Sequence, residues 1–243
     1  MTKNILITGA TTGLGYDIFK ELSKDNSVNL ICTYKDPVKK KKIKNAKKSI
    51  QVNFFEKNFL ENFVKQLGNI KIDSVIHCAG GGLGYRENNI SLLKLQKLIE
   101  LNFYSLFEIN SFLIKRKKMK ERLNIIHIGS LAAFEVKASI GYSLAKATLT
   151  SYNKNLAFKY VKENVISKLL IPGSFVSSNG SMYRLKQKKN DIFKKLEKEM
   201  PKKKMISSKK LIPIIQFLLN KDSDLLTGTI ISATNLESKN NLN

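Results

Sequence analysis

A glycine-rich segment near the start of the chain, TGATTGLG at residues 8–15, limits the available folds more than any other feature. It follows an apolar run at 5–8 that is typical of a buried strand, and it precedes a helical pattern at 13–24. Glycine lets the backbone turn sharply and approach a ligand closely. The free N–H groups and the positive dipole end of the following helix suit a pyrophosphate. The residues expected to contact a dinucleotide here are Gly9, Thr11, Thr12, Gly13, Leu14 and Gly15.

Apolar runs alternate with helical patterns along the rest of the chain. Strands are predicted at 5–8, 28–33, 50–55, 74–78, 124–128, 165–171 and 229–232, and helices at 13–24, 60–67, 92–114, 141–160 and 211–219. This order predicts an α/β fold with a doubly wound, Rossmann-like parallel sheet of about seven strands, flanked by helices on both faces. Strands this uniformly apolar fit a sheet covered on both sides. We expect one domain over 1–243.

Two segments depart from the alternation. No strand is predicted in residues 174–210, which hold twelve Lys or Arg against three Asp or Glu. A long insertion late in such a fold is usually a lid or binding loop, so we expect a basic substrate lid. The last residues, 236–243, are predicted to form a short polar tail.

The residues after the second strand choose between the two nicotinamide cofactors. An acidic side chain there binds the ribose hydroxyls of NAD, whereas a basic one accepts the extra phosphate of NADP. This chain has Tyr34, Lys35 and Asp36 in succession. Lys35 favours NADP(H), and Tyr34 is placed to stack near the adenine. Asp36, together with Thr12 where a basic residue would strengthen the case, keeps NAD(H) open as the alternative.

The formal charge of +24 raises the question of nucleic-acid binding. Most of the 43 basic residues are lysine, whereas arginine is preferred for bidentate phosphate and base contacts. We therefore expect solvated lysine-rich faces and no nucleic-acid partner. No apolar run is long enough to span a bilayer, and no signal peptide is predicted, so no membrane association is expected.

Cysteine and histidine are too few and too scattered to suggest a metal site. Cys32 and Cys78 fall in predicted core strands and are expected to be free, buried thiols, which favours a reducing, cytoplasmic location. His77 is expected to be structural, and His127 to be a core residue whose hydrogen bonds are satisfied. Their spacing does not suit metal ligands, so no metal is expected.

Tyr142 and Lys146, in the string GYSLAKAT, share one face of the helix predicted at 141–160 because they are four residues apart. An ammonium group beside a phenol favours the phenolate and lowers the pKa of the tyrosine. The pair is therefore a candidate proton donor and acceptor near neutral pH. The same spacing is common on ordinary helices, so the pair alone does not establish chemistry.

Further motifs in the same order give the chain a family resemblance over roughly residues 3–233. Asn102 lies in the long helix predicted at 92–114, Ser130 ends the fifth strand twelve residues before Tyr142, and Pro172 with Gly173 closes the sixth strand. With the glycine loop, these resemble the short-chain dehydrogenase/reductase family in its compact single-domain form.

Two stretches depart from the family pattern. HCAGGG at 77–82 resembles the stretch NNAG, but His77 and Cys78 replace both asparagines. TGTIISATN at 227–235 resembles the last strand, without its usual acidic-Gly-Gly ending.

The resemblance implies an oxidoreductase that transfers a hydride between NADP(H) and a carbonyl or secondary alcohol. Tyr142 would exchange a proton with the substrate oxygen, and Ser130 would hydrogen-bond the same oxygen. Lys146 would lower the pKa of Tyr142 and hold the nicotinamide ribose, and Asn102 would bind a water that continues a proton relay. The implied cofactor contacts beyond the glycine loop are Ala79, Gly80, Tyr142, Lys146, Pro172 and Gly173.

The substrate and its partners are less constrained. Substrate contacts are expected from 83–85, 131–135 and 174–183, whose lining includes Phe134, Phe175, Met182 and Tyr183. Similar proteins reduce 3-oxoacyl groups on an acidic acyl carrier protein, which a Lys-rich rim at 184–210 would dock. That specific reaction is one alternative, and a non-catalytic dinucleotide-binding sensor is another. The intact Ser130, Tyr142 and Lys146 argue against the sensor.

The resemblance also implies a homodimer or homotetramer. The two long helices carry apolar positions beyond one core stripe, and helices of this kind are often buried by a neighbouring subunit. These positions are Phe103, Phe107, Ile109, Phe112, Leu149, Tyr152 and Leu156.

Overall fold

The computed structural model describes residues 2–136 and 138–238 and contains a seven-stranded sheet with every neighbouring pair parallel. Its strands, in the order in which they lie side by side, are β3 (Lys48–Gln51), β2 (Val28–Tyr34), β1 (Lys3–Thr8), β4 (Ser74–His77), β5 (Leu123–Ile128), β6 (Val165–Pro172) and β9 (Ile230–Ala233). The helices are α1 (Gly13–Leu22), α2 (Phe59–Leu67), α3 (Leu92–Ile99), α4 (Ser105–Arg116), α5 (Ile140–Tyr160), α6 (Ser181–Lys188), α7 (Asn190–Glu199) and α8 (Ile212–Leu219). The predicted doubly wound α/β fold is confirmed.

The sheet is covered on both faces, and alternate residues of β1 show how. Successive side chains of a strand point to opposite faces. Ile5 and Ile7 pack in the core that includes Ile18 of α1 and Ile215 of α8. Leu6 points the other way, into a core with residues of α2, α4 and α5. Full burial of each such side chain contributes roughly 1.5–3 kcal/mol to the stability of the fold, so this strand is a large part of what holds both cores together.

The helix predicted at 92–114 is interrupted by one turn of π-helix. Helix α3 ends at Ile99, the π turn spans Glu100–Tyr104, and α4 continues to Arg116. A π turn inserts an extra residue into the helical ladder and is frequent at functional sites. Here it contains Asn102, which is fully buried.

The third strand is shorter than predicted. It ends at Gln51, not at 55, and Asn53 begins a turn in which its Oδ1 accepts from the Phe55 amide at 3.4 Å. The backbone oxygen of Asn53 also accepts from the Glu56 amide at 3.0 Å. An Asn side chain that bonds the backbone two residues ahead competes with the sheet ladder, which explains why the apolar run leaves the strand.

The basic segment at 174–210, called the lid below, has more structure than expected. The prediction that it lacks a strand was wrong, because β7 (Phe175–Val176) and β8 (Ile206–Ser207) form a short parallel pair. Helices α6 and α7 lie between them. Asp17 of α1 is buried and anchors both ends: its Oδ2 accepts from the Ser178 amide at 3.1 Å and from Ser208 Oγ at 2.5 Å. The strands are too short for a pattern of alternating residues to show in the sequence.

A buried lysine in β6 was not anticipated from the sequence. Lys168 is fully buried, and its Nζ donates to the Leu218 oxygen at 2.9 Å and to Ser223 Oγ at 2.6 Å. Asp224 Oδ1 lies 3.6 Å from the same nitrogen, and Arg122 binds the Asp224 carboxylate through two nitrogens at 2.8 and 2.6 Å. Burial lowers the pKa of Lys168 to about 8, against the attraction of Asp224.

Three of the side chains proposed for subunit contacts are used within this chain. Ile109, Leu149 and Leu156 are buried in its own cores, so they cannot also face a neighbour. Of the proposed positions, Phe107 on α4 is exposed, whereas the exposed apolar side chains on α5, Ile140, Leu144 and Phe158, were not among them. The apolar pattern in the sequence did not separate buried from exposed positions, because α5 packs against neighbouring elements on several sides.

The predicted polar tail lies partly outside the described residues. Residues 239–243 are outside them, whereas 236–238 are described and Glu237 is buried. Across the described part of the chain, no helix is both long and apolar enough to cross a membrane.

Candidate active site

The carboxyl ends of β1, β4, β5 and β6 meet at one edge of the sheet, where open α/β folds bind ligands. Thr8 links the ends of β1 and β4, because its Oγ1 accepts from the amides of Cys78 and Ala79, each at 3.1 Å. Gly9 continues the same edge, and its amide donates to Thr33 Oγ1 at 2.9 Å. The ends of β1, β2 and β4 are thereby held in fixed relation around the glycine loop.

Gly9 shows why the loop needs glycine. Its φ is +68°, a left-handed conformation, and a Cβ placed on it would stand 3.0 Å from the Cα of Ala79. Any larger residue would push the first and fourth strands apart. Helix α1 begins at Gly13, four residues later, so its amino terminus faces the same edge. The backbone amide of Gly13 donates to the Ser178 oxygen of the lid at 2.7 Å, a contact that the sequence did not suggest.

A cleft of about 370 Å³ lies beside this loop. Of the predicted cofactor contacts it brings together Gly9, Thr11, Thr12, Tyr34, Lys35 and Ala79. It also includes residues that sequence reasoning missed: Thr33, Lys39, Val52, Asn53, Phe54, Phe55 and Leu101. The signal for Phe54 and Phe55 was the apolar run at 50–55, which was assigned wholly to a strand. An open cleft beside a backbone cradle, with cations at one end, fits a dinucleotide.

The charged end of the cleft contains two lysines and one aspartate. The Asp36 carboxylate caps a short 3-10 helix, Pro37–Ile43, by accepting from the Val38 amide at 3.0 Å. Its other oxygen lies 3.2 Å from Lys39 Nζ. Lys35 lies over the Phe55 ring, with Nζ 5.0 Å from the centroid. The one acidic group is therefore engaged by its own turn, and positive charge dominates this end.

Ser130 and Tyr142 lie side by side on the sheet edge. Ser130 follows β5 after Gly129, its Oγ accepts from the Ala132 amide at 3.2 Å, and its side chain is hydrogen-bonded to Tyr142. The Tyr142 ring packs against the glycines after β4, about 3.8 Å from a Cβ built on Gly82. Two hydroxyl groups in contact can both reach one oxygen atom of a bound molecule.

The pKa of Tyr142 differs from the sequence-based expectation. Burial raises it above its ordinary value of 10.0, and the hydrogen bond from Ser130 opposes that rise. Lys146 does not lower it as expected, because its Nζ donates to the Ile128 oxygen at 2.9 Å and lies 6.0 Å from the centroid of the Tyr142 ring. The phenol is therefore protonated at neutral pH, as a proton donor must be.

Lys146 is almost fully buried behind the tyrosine, 6% exposed. Burial lowers its pKa to about 8, so the ammonium form still prevails at pH 7. A buried cation held by one backbone carbonyl has donors to spare, since an ammonium group carries three. The predicted contact with ribose hydroxyls remains a prediction that this geometry allows.

Asn102 holds the glycine-rich loop after β4. Its Oδ1 accepts from the Gly81 amide at 2.9 Å, and its Nδ2 donates to the oxygens of Gly81 at 3.0 Å and Leu98 at 2.9 Å. Both amide hydrogens are thus committed to the backbone. The relay role implied by the resemblance stays a prediction. What the structure shows is that the Asn102 side chain holds the loop in place.

The two histidines form a buried stack on neighbouring strands. His77 and His127 are paired across β4 and β5, with ring centroids 5.4 Å apart and planes 8° from parallel. His77 Nε2 bonds Asn110 Oδ1 at 2.8 Å, and burial lowers the pKa of His77 to about 4. The expectation for His127 was wrong, since within the described residues neither ring nitrogen has a hydrogen-bond partner. Burial also lowers the pKa of His127.

Other predicted positions lie around the same edge or away from it. Gly80 lies at the centre, since a Cβ on it would be 3.3 Å from Lys146 Nζ, whereas Phe175 packs against the core beside α1. Cys32 is buried and Cys78 half-buried just past β4, and both are free. Within residues 2–136 and 138–238, no cluster of three or more His, Cys, Asp or Glu could hold a metal ion.

A second, larger cleft of about 590 Å³ adjoins the first and shares Phe54 and Phe55 with it. It runs between α2 and the π turn and is lined by Phe54, Phe59, Phe103, Tyr104 and Phe107 among others. Neither the glycine loop nor any predicted catalytic residue borders it, so its size does not make it the active site.

Comparisons with known proteins agree with this geometry. A family model described as short chain dehydrogenase matches residues 3–188. The chain is 28% identical over 240 residues to the 3-oxoacyl-(acyl-carrier-protein) reductase FabG of Buchnera aphidicola subsp. Baizongia pistaciae, covering 95% of each sequence. It is 23% identical over 237 residues to the FabG of Aquifex aeolicus, covering 93% of each.

Solved structures show the same fold. A 4-hydroxyisoleucine dehydrogenase complexed with NADH superimposes with a TM-score of 0.83 at 20% identity, covering 98% of this chain and 100% of that one. A variant actinorhodin polyketide ketoreductase with NADPH gives 0.84 at 15% identity, covering 98% of each. The chain belongs to the short-chain dehydrogenase family of NAD(P)-dependent oxidoreductases.

Proposed function

We propose that this protein is an NADPH-dependent carbonyl reductase in which Tyr142 is the general acid. The observation that supports this most is the hydrogen-bonded pair of Ser130 and Tyr142, with the ammonium of Lys146 buried behind it. When bound, the nicotinamide supplies the hydride. Tyr142 gives its proton to the substrate oxygen, and Ser130 fixes the position of that oxygen. A non-catalytic sensor is disfavoured, since it has no use for a buried proton donor.

The direct test is a screen of carbonyl substrates with NADPH and NADH, followed as loss of the absorbance of the reduced cofactor. We expect turnover with ketones and with NADPH in preference to NADH. If both cofactors bind and no carbonyl compound is reduced, the sensor alternative is supported instead.

Lys35 and Lys39 support the preference for NADPH, because both line the cleft where the extra phosphate would lie. Replacing both by methionine is expected to weaken NADPH binding about tenfold, roughly 1.4 kcal/mol, while NADH binding changes less than about twofold. Fluorescence titration of each cofactor measures the two dissociation constants. Lys40→Met is the matched control, since Lys40 is exposed in the same turn but does not line the cleft. Equal losses for both cofactors would contradict the assignment.

Reduction of 3-oxoacyl groups on an acyl carrier protein is the more specific candidate. The FabG relatives, at 23–28% identity, and the lysine-rich lid support it. Lys194 and Lys195 are exposed on α7, and charge of this kind chiefly speeds encounter with an acidic partner.

Reversing both lid charges, Lys194→Glu with Lys195→Glu, is expected to lower kcat/KM for carrier-bound substrate about tenfold at low salt. The rate with a free thioester should stay within about twofold. Reversal of Lys65 and Lys115, which are exposed outside the lid, serves as control. Equal salt dependence for carrier-bound and free substrates would rule out docking through the lid.

Assembly and location complete the proposal. The exposed side chains of Phe107 and Phe158 support a homodimer or homotetramer, because apolar helix faces of this kind are often covered by a second subunit. The free thiols of Cys32 and Cys78 support a reducing, cytoplasmic location.

A further inference from the structure

The end of the described chain contacts both loops that flank the candidate active site. The Glu237 carboxylate accepts from the Ser174 amide, and from Ser174 Oγ at 2.7 Å. Ser238 Oγ donates to the Glu135 carboxylate, in the loop that follows Ser130. Ser174 is the first residue of the lid, directly after the Pro172 and Gly173 turn. The segment 234–238 therefore ties the lid to the catalytic edge of the sheet.

The fit at Gly173 shows that this contact is tightly built. A Cβ on Gly173 would stand 2.5 Å from the Thr234 oxygen and 2.8 Å from Glu237 Oε2. The Gly173 amide also donates to the Ala233 oxygen at 3.1 Å. Only glycine leaves room for the carboxylate to reach the turn. The acidic residue is 9% exposed, so it is buried against the turn and not solvated as the predicted tail would be.

The backbone before Glu237 is strained. Asn235 and Leu236 have φ of +54° and +64°, so two consecutive residues other than glycine are left-handed. Leucine rarely adopts this conformation, and such strain persists only where surrounding contacts hold it. The Leu236 side chain is 76% exposed, so its own packing does not explain the turn. The contact between Glu237 and Ser174 is what the turn makes possible.

Ser174 begins a short run of the lid that is fixed again at its other end. Four residues later, Ser178 donates its amide to Asp17 and accepts from the Gly13 amide at 2.7 Å. Movement of this run away from the glycine loop must therefore break contacts at both ends. Glu237 holds the end at Ser174.

We propose that Glu237 is a positioning residue, a carboxylate latch that holds the turn at Gly173 and Ser174 and sets how often the lid moves away from the glycine loop. The latch is a property of the fold, while its effect on cofactor release rests on the proposed function. Each part has its own experiment.

The first experiment measures hydrogen exchange of the Ser174 amide and the rate of trypsin cleavage at the lid lysines. Glu237→Ala is expected to increase both about tenfold, because the amide loses its acceptor and the lid loses one of its anchors. Glu237→Gln should lie between wild type and Glu237→Ala, since its amide oxygen can still accept one bond. Glu61→Ala, an exposed acid on α2, is the charge-matched control and should leave both rates unchanged.

Two substitutions at Leu236 test the strained turn without touching the carboxylate. Asparagine tolerates the left-handed region and a β-branched residue does not. Leu236→Asn should therefore keep exchange at Ser174 at or below the wild-type rate, and Leu236→Val should raise it. The latch is refuted if Glu237→Ala leaves Ser174 exchange within twofold of wild type. It is equally refuted if the Ile126 amide in β5 accelerates as much as Ser174, because that is general destabilisation.

The second experiment measures the dissociation rate of NADPH by stopped-flow fluorescence. Glu237→Ala should release NADPH about tenfold faster, and Glu237→Gln should restore part of the slow release. Unchanged NADPH release with faster Ser174 exchange would overturn the link to the cofactor and leave the latch itself standing. If wild-type protein binds no nicotinamide cofactor, the proposed function fails while the exchange result is still decisive for the latch.

Discussion

Replacing Tyr142 by phenylalanine is expected to reduce turnover roughly 10²- to 10⁴-fold while NADPH binding stays close to that of the wild type. The substitution removes one hydroxyl from a half-buried ring and leaves the packing against Gly82 in place. The substrate oxygen then keeps the Ser130 hydroxyl but has no proton donor. Steady-state rates and cofactor titration on the same samples separate the two effects.

Tyr160→Phe provides a matched control, because Tyr160 is the last residue of the same helix and lies away from the catalytic edge. It should leave turnover within about twofold of the wild type. Turnover that survives in the Tyr142→Phe variant would show that another group supplies the proton. Loss of NADPH binding in that variant would mean that the ring has a binding role that the proposed mechanism lacks.

Acidification is expected to destabilise the fold through the stacked histidines. The folded-state pKa of His77, about 4, lies below its ordinary value of 6.5 because burial disfavours the charged ring. A depressed pKa contributes stability that is fully present above pH 6.5 and is lost as the pH falls toward 4. His77 alone accounts for a loss of about 3 kcal/mol between pH 7 and pH 4. Urea unfolding at a series of pH values measures it.

His127→Phe is the informative variant in that series. The ring stacks on His77 and meets Tyr152 edge-on, and its nitrogens have no partner among the described residues. Phenylalanine therefore preserves the ring contacts and breaks no hydrogen bond. The neighbouring charge of Lys146 also lowers the pKa of His127. We expect the variant to be at least as stable as wild type at pH 7 and to lose less stability on acidification. Parallel pH dependences for the two proteins would show that His127 does not titrate on unfolding.

The order of strands and helices could be predicted because apolar runs and helical periods are local patterns. The pairing of Ser130 with Tyr142 followed from motifs with fixed spacing. The end of β3 was not predicted, because the apolar run continues past Gln51 although the Asn53 side chain bonds the backbone ahead of it. The burial of Lys168 was not predicted for a different reason, since its partners Leu218 and Ser223 lie about fifty residues away.

Within the site, the positions were predictable and the electrostatics were not. The spacing of Tyr142 and Lys146 suggested a mutual effect on pKa, but depth of burial and the Ile128 carbonyl decide where the ammonium points. Similarly, the sequence left Asp36 open as a ribose ligand, but its carboxylate accepts a hydrogen bond from the Val38 amide of the turn that follows. The Lys146 bond joins residues eighteen positions apart, which no local pattern carries, whereas the Asp36 cap is local and was overlooked.

The hydrogen bond from the Gly13 amide to the Ser178 oxygen has a consequence for affinity. The bond joins the lid to the first residue of α1, so loosening the lid also frees a donor at the amino terminus of that helix. Order in the lid and binding of a ligand at that terminus are therefore thermodynamically linked, and each changes the equilibrium of the other by the same factor.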